Sequence, residues 1–205
     1  MIKLENTETY GWESAIRSMR NPLNSWQKSD SVFDTDTYEY IIGEADLKLA
    51  KKLVHAGTDH SKFMRMIGVS VDITANQPFW SQFDTYKVGT VKNSCSKMHT
   101  IHLNEFTKDM FDHEGLDAVN SKILDTIISE LEDFRIMFNA SKEKRYWRAI
   151  IELLPMGYRL KATVSLNYAV LRNIYHSRKN HKLDEWHTFC EWIEKLPHSE
   201  LITME

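Results

Sequence analysis

Apolar residues recur at helical spacing over residues 12–20, where Trp12, Ala15, Ile16 and Met19 share one face, and this predicts a first helix. Asn21-Pro22 ends it, since proline drives its predecessor out of the helical region. The polar stretch that follows, through Asp36, reads as a surface loop. A second helix is predicted over 44–56, with Ala45, Leu49, Leu53 and Ala56 inward, lysines outward and Gly57 as its C-cap. Between Phe63 and Ile73 the period falls to two. Ile67, Val69, Val71 and Ile73 alternate with Gly68, Ser70 and Asp72, as in a half-buried strand.

Pro78 then opens a short aromatic helix from Phe79 to Tyr86, and residues 88–98 read as an ordered loop. Two helices follow, over about 116–139 and 142–153; the first carries Leu116, Val119, Ile123, Ile127, Leu131 and Phe134, and Leu154-Pro155 breaks the second. Residues 159–166 alternate again as a strand, and Asn167 is placed to cap a helix over 168–178. A last helix over 184–195 turns Trp186, Phe189, Trp192 and Ile193 to one side. Strands separated by long helices predict an α/β or α+β class, and the lack of repeats or Gly/Ser linkers predicts one domain over 1–205.

Composition narrows the function. The chain has 205 residues, is 42% hydrophobic and 27% charged, and carries a net charge of −3. That is enough for a sizeable core, and it argues against broad binding to duplex nucleic acid, which needs a basic face. The two cysteines, Cys95 and Cys190, form no CxxC pair, so neither a zinc site nor a disulfide framework is expected. No apolar stretch reaches the ~20 residues of a membrane span and the N-terminus lacks a signal-like core, so a cytoplasmic protein is expected.

The candidate chemistry lies between Gln82 and Met98, where Lys87, Lys92 and Lys97 are spaced by small and hydroxyl residues. Such a segment suits a phosphate, because small residues let the backbone come close and lysines supply charge. Cys95 is the one candidate thiol nucleophile, with Lys92 and Lys97 near in sequence but no base partner at a defined spacing. His99 and His102 are three apart without a carboxylate pair beside them, so no metal is assigned. A second polar cluster comprises Asn167, Asn173 and Arg178. Asn167 and Arg178 are eleven residues apart and share a helix face, while Asn173 lies on the flank. A capping asparagine and a solvated helix end would explain the same residues without a ligand.

In order along the chain, these segments resemble the flavin-dependent thymidylate synthases. Asp59-His-Ser-Lys-Phe-Met-Arg65 keeps the Ser61 and Phe63 of that family's His-x-Ser-Pro-Phe-Glu-His stretch. Gln82 to Met98 follows, without a gap, the register of Gln-x-x-Arg-His-Arg-x-x-Ser-x-Asn-x-x-Ser-x-Arg-Tyr. Gln82 is kept, Lys87, Thr90, Cys95 and Lys97 are close in size or charge, and Thr85, Tyr86, Lys92 and Met98 depart. Pro155, Asn167, Asn173 and Arg178 fall at the family's C-terminal spacing, with Ala169 and Ile151 where arginines are expected and Arg148 close to the latter.

The resemblance implies a small, mostly antiparallel central sheet flanked by long helices and a site built at the contacts of a homotetramer. It implies FAD, held through Ser61, Thr85, Tyr86, Lys87, Asn93, Asn167 and Asn173. It further implies a pyrimidine nucleotide or other phosphorylated small molecule at Gln82, Cys95, Lys97 and Arg178, with Arg178 promoting ionisation of the uracil ring. The activity implied is transfer of a one-carbon unit from methylenetetrahydrofolate to C5 of dUMP, with NADPH as reductant. Thr85 and Ala169 remove two arginine forks that would grip phosphate bidentately. A nucleotide-binding or nucleotide-sequestering homologue without catalysis is therefore the alternative, and a structural oligomer with a vestigial pocket the third.

Overall fold

The computed structural model describes residues 1–205. Along the chain run β1 (Lys3–Tyr10), α1 (Trp12–Met19), β2 (Val32–Asp34), β3 (Glu39–Ile41), α2 (Glu44–His55), β4 (Gly68–Ala75) and α3 (Gln77–Phe83). They are followed by β5 (Val91–Ser94), α4 (Lys97–Thr100), α5 (Ala118–Ser141), α6 (Lys144–Leu153), β6 (Leu160–Asn167), α7 (Tyr168–Arg178), α8 (Asp184–Glu194) and α9 (Glu200–Thr203). Strands β2 and β3 form a small antiparallel hairpin with Phe33 opposite Tyr40.

The other four strands form a sheet in the order β1-β4-β6-β5. Cross-strand neighbours show that it is antiparallel. Asn6 Nδ2 donates to Asp72 at 3.0 Å, and the Tyr10 ring fills the space in front of Gly68, so one index rises by four as the other falls by four. The Ile67 carbonyl accepts from the Tyr168 N–H at one end of β4, and the Gln77 N–H donates to Met156 beyond the other. Cys95 N–H donates to the Lys161 carbonyl, while Gly89 lies against Asn167, which fixes β5 beside β6 in the same sense. The α+β class with a small antiparallel sheet is thus the observed one.

The chain divides into two compact units, with boundaries that fall inside strands: residues 1–3, 73–85 and 93–163 in the first, 4–72, 86–92 and 164–205 in the second. In the first unit, α5 and α6 close over Ile101, Phe106, Phe111, Leu124, Leu131 and Ile150. Helix α3 starts on an Asn76 cap, whose side chain accepts from the Phe79 N–H, and it buries Phe79, Trp80 and Phe83. In the second unit, α1, α2, α7, α8 and α9 bury a core that includes Ile16, Val54, Met64, Leu171, Trp186 and Phe189.

The N-terminal segment, for which no element was expected, is a strand, β1, although its residues are mostly exposed and polar. Four expectations are corrected. The expected loop before Asp36 contains β2 and leads into the hairpin, and the expected loop over 88–98 contains β5 and the start of α4. Residues Lys62–Arg65 form a 3-10 turn rather than the beginning of β4. Helix α2 buries Asp46, Ala50 and Val54, one position round from the face expected; Ala45 and Ala56 are exposed. One of these three buried positions, Asp46, is charged, so an apolar pattern cannot mark it.

Gly11 joins β1 to α1 with φ of +83°, a conformation costly for any residue with a side chain. A Cβ there would also stand 2.2 Å from the Met66 carbonyl oxygen, a backbone atom that cannot turn away. Gly11→Ala is expected to lower stability by at least ~2 kcal/mol in denaturant titration, from left-handed strain plus the clash.

Candidate functional site

The residues singled out in the sequence fall into two groups, each inside one compact unit. In the second unit the C-terminal turn of α7 presents Arg178. Its Nε donates to the Tyr86 hydroxyl at 2.8 Å. Its guanidinium lies 4.9 Å from the centre of the Trp186 ring and 5.5 Å from that of Tyr86. The two rings meet edge to face at 6.2 Å, so the cation is held against aromatic faces that favour it. Burial, then the Arg178 charge, holds His181 below its ordinary pKa, which keeps the imidazole beside this cluster neutral.

At the other end of α7, Asn167 is the N-cap: its Oδ1 accepts from the Val170 N–H at 3.1 Å. Its Nδ2 lies next to Gly89, where a Cβ would come within 3.1 Å. Asn173 is exposed, Lys87 is exposed, and Tyr86 is half-buried. Ser61 donates to the Gly57 carbonyl at 3.0 Å and lines a cavity of about 290 Å³. Ala169, Arg65 and Arg172 line the same cavity. Arg172 spends one nitrogen on the carbonyls of Ile202 and Met204, at 3.0 and 2.5 Å. Arg65 is exposed and in no ion pair.

In the first unit, Gln82 is half-buried and its carbonyl accepts from the Thr85 hydroxyl at 2.7 Å, which closes the turn after α3. Lys97 opens α4, and its Nζ donates to Gln77 Oε1 at 3.3 Å. Asn93 on β5 and Cys95 just after it are exposed. The other thiol, Cys190, is pushed up to about 11 by burial. Nowhere do three or more His, Cys, Asp or Glu side chains gather as a metal site.

A cavity of about 720 Å³ in the second unit is edged by Tyr10, Trp12, Phe33, Tyr38 and Tyr40, and none of the expected site residues lines it.

No protein-family model and no curated protein sequence matches this chain. Solved structures do. A flavin-dependent thymidylate synthase, ThyX from Helicobacter pylori, solved with FAD and dUMP, matches with a TM-score of 0.71 at 17% identity over 98% of both chains. A second structure of ThyX from the same organism, also with FAD and dUMP, matches with a TM-score of 0.74 at 15% identity, over 99% of this chain and 97% of that one. The chain has the fold of the flavin-dependent thymidylate synthases.

On this ThyX fold, sequence reasoning left out three residues that the geometry brings in. Trp186 supplies the face under Arg178, but it stands on α8, across a loop, where no spacing rule connects them. Arg65 and Arg172 join Ser61 at its cavity. Arg172 is three residues beyond Ala169 on α7, so helical spacing alone puts both on one face. No helix is long and apolar enough to cross a membrane.

Proposed function

We propose that this protein binds a pyrimidine nucleotide and transfers a one-carbon unit to C5 of dUMP, or of a related nucleotide, with reduced FAD. Arg178 carries the reading. By the sequence resemblance it would inherit the role of the family's uracil-contacting arginine, and Tyr86 and Trp186 hold its guanidinium in one orientation. A cation fixed in this way offsets negative charge on a uracil ring without having to reorganise, and so favours the ionised ring as a nucleophile. No protein nucleophile is required, which leaves Cys95 to nucleotide contact with Gln82 and Lys97.

Arg65 and Arg172 form a donor pair suited to a phosphate-bearing part of FAD, in a cavity of about 290 Å³ that Ser61 and Glu205 also line. Arg172 stands one helical turn beyond Ala169 and returns a guanidinium to that side of the cavity. Reduced flavin would supply the reducing equivalents and carry the one-carbon unit; NADPH and methylenetetrahydrofolate are the co-substrates of this scheme. Ser61 and the two arginines would bind and orient the cofactor, with Asn167, Asn173, Thr85, Tyr86, Lys87 and Asn93 as further contacts. Assembly as a homotetramer belongs to the same proposal.

Titration with FAD, followed by dUMP, methylenetetrahydrofolate and NADPH, tests it. Saturable perturbation of the flavin absorbance and formation of a C5-substituted nucleotide are the expected results. Absence of flavin binding sinks the enzymatic reading. One observation favours a second reading, a nucleotide-binding protein without turnover: the Thr85 hydroxyl is turned onto its own chain, where an arginine fork would reach out. That reading expects a pyrimidine nucleotide to raise the melting temperature while no product forms.

A further inference from the structure

A cavity of about 300 Å³ in the first unit is bounded by Lys142, Lys144, His99 and His102, with Phe138 and Trp147 as aromatic walls. Four basic side chains and no acidic one meet there, in a chain whose net charge is −3. The arginines of the same helices, by contrast, are each paired with a carboxylate. Arg135 is bonded to Glu132, Arg145 to Glu143 and Arg148 to Glu152. Lys142 and Lys144 have no carboxylate partner; Lys142 reaches only Asn139 Oδ1, at 3.5 Å, and the Phe138 ring.

The histidines point the same way. His102 Nδ1 is buried without a hydrogen-bond partner. A buried N–H left unmade costs more than a buried lone pair, so the neutral ring places its proton on Nε2. The nitrogen left for the cavity is thus a donor. The Phe138 ring, edge to face at 4.9 Å, and the Asn139 amide, bonded to the His102 carbonyl at 2.9 Å, hold this side chain's segment in place. Trp147 Nε1 donates to the Met98 carbonyl at 3.3 Å, which fixes the opposite wall. Lys144 is also the first residue of α6, a helix whose N-cap residue makes no side-chain cap.

We propose that this cavity is a binding site for a phosphate oxyanion, free or carried by a nucleotide, separate from Arg178 and from the Ser61 cavity. The lysines supply charge, and His102 supplies a donor. The aromatic walls keep water from one side and leave a flat surface for a planar group attached to the phosphate.

The test uses the double variant Lys142→Gly with Lys144→Ala. Lys142 has φ of +59°, a conformation that glycine adopts without strain, and alanine suits the first turn of a helix, so the fold is retained. At fixed ionic strength, calorimetric titration with pyrophosphate is expected to show saturable binding that weakens at least about tenfold in the double variant. Lys122→Ala removes another unpaired lysine of α5, outside the cavity, and is expected to leave affinity unchanged. UDP binding at least as tightly as pyrophosphate assigns a nucleotide-borne phosphate; pyrophosphate binding without UDP binding assigns a free oxyanion. Absence of saturable binding, or equal losses in Lys122→Ala and the double variant, overturns the site.

Discussion

Asp46→Ala is expected to destabilise the protein by about 3–5 kcal/mol, the cost of leaving a buried cation without its partner. Asp46 is completely buried, and its carboxylate accepts from Arg20 Nε at 2.5 Å. It also accepts from the hydroxyls of Ser29 and Ser31, both at 2.6 Å, and from the backbone N–H groups of Asp30 and Ser31. Arg20 is itself buried, and its remaining bonds go to Ser25. Removing the carboxylate therefore orphans a guanidinium and four further donors at once. Denaturant titration of the variant measures the loss. Replacing both ends, Arg20→Met with Asp46→Leu, should recover most of it, because no uncompensated charge remains. A double variant as unstable as the single one would mean that the five hydrogen bonds, rather than the charge, hold the segment.

The same carboxylate sets a pH dependence. Burial alone would raise the Asp46 pKa, but hydrogen bonds from Ser29, Ser31 and Arg20 outweigh it and leave the value below the ordinary one. With the folded pKa below the unfolded, the group's contribution is fully present above the unfolded carboxylate value. It is lost as pH falls through the folded one. Asp46→Ala should flatten that acidic limb of the stability curve.

This network also explains why part of the fold was hidden in the sequence. The long helices α5 and α6, the strands β4 and β6 and the capped helix α7 are legible because their apolar residues repeat at one period over many positions. Strands β1 and β5 lie at the edges of the sheet, where exposed polar residues are normal and alternation is lost. Residues 25–31 read as a surface loop because serines and aspartates predominate, yet they are fastened to α2 through Asp46. Helix α2 was read one position out for the same reason, since one of its fully buried residues, Asp46, is an acid.

The site divides in the same way. Asn167 and Arg178 could be placed on α7 from spacing, and the register of Gln82 to Met98 pointed to the fold that the structural comparison shows. The partners of Arg178 could not be read, because Tyr86 lies ninety-two residues before it and the contact exists only in the folded chain. The cavity beside Ser61 was equally invisible. Its arginines come from a 3-10 turn and from α7, elements that only the fold brings together.

Under the proposed function, Arg178→Ala is expected to weaken binding of dUMP by roughly 10- to 100-fold, the worth of one charge-assisted contact of about 1.5–3 kcal/mol. Turnover should fall further, since a cation that favours the ionised ring acts more strongly on the transition state than on bound substrate. Arg178→Lys keeps the charge but loses the planar fork and the Nε–H that meets Tyr86, so it should recover part of the affinity and little of the rate. Tyr86→Phe leaves the ring and removes only the hydroxyl. Its expected effect is a smaller loss, because Trp186 at 4.9 Å still constrains the guanidinium. Calorimetric titration with dUMP, paired with melting curves of each variant, separates loss of a contact from loss of the fold. Arg178→Ala that melts like the parent and binds dUMP equally well would remove Arg178 from the site, and with it the main support for a uracil-activating role. The ordering of Ala, Lys and Phe variants carries the argument, since a merely structural stack under α8 would be hurt most by whichever change removes the most buried surface, irrespective of charge.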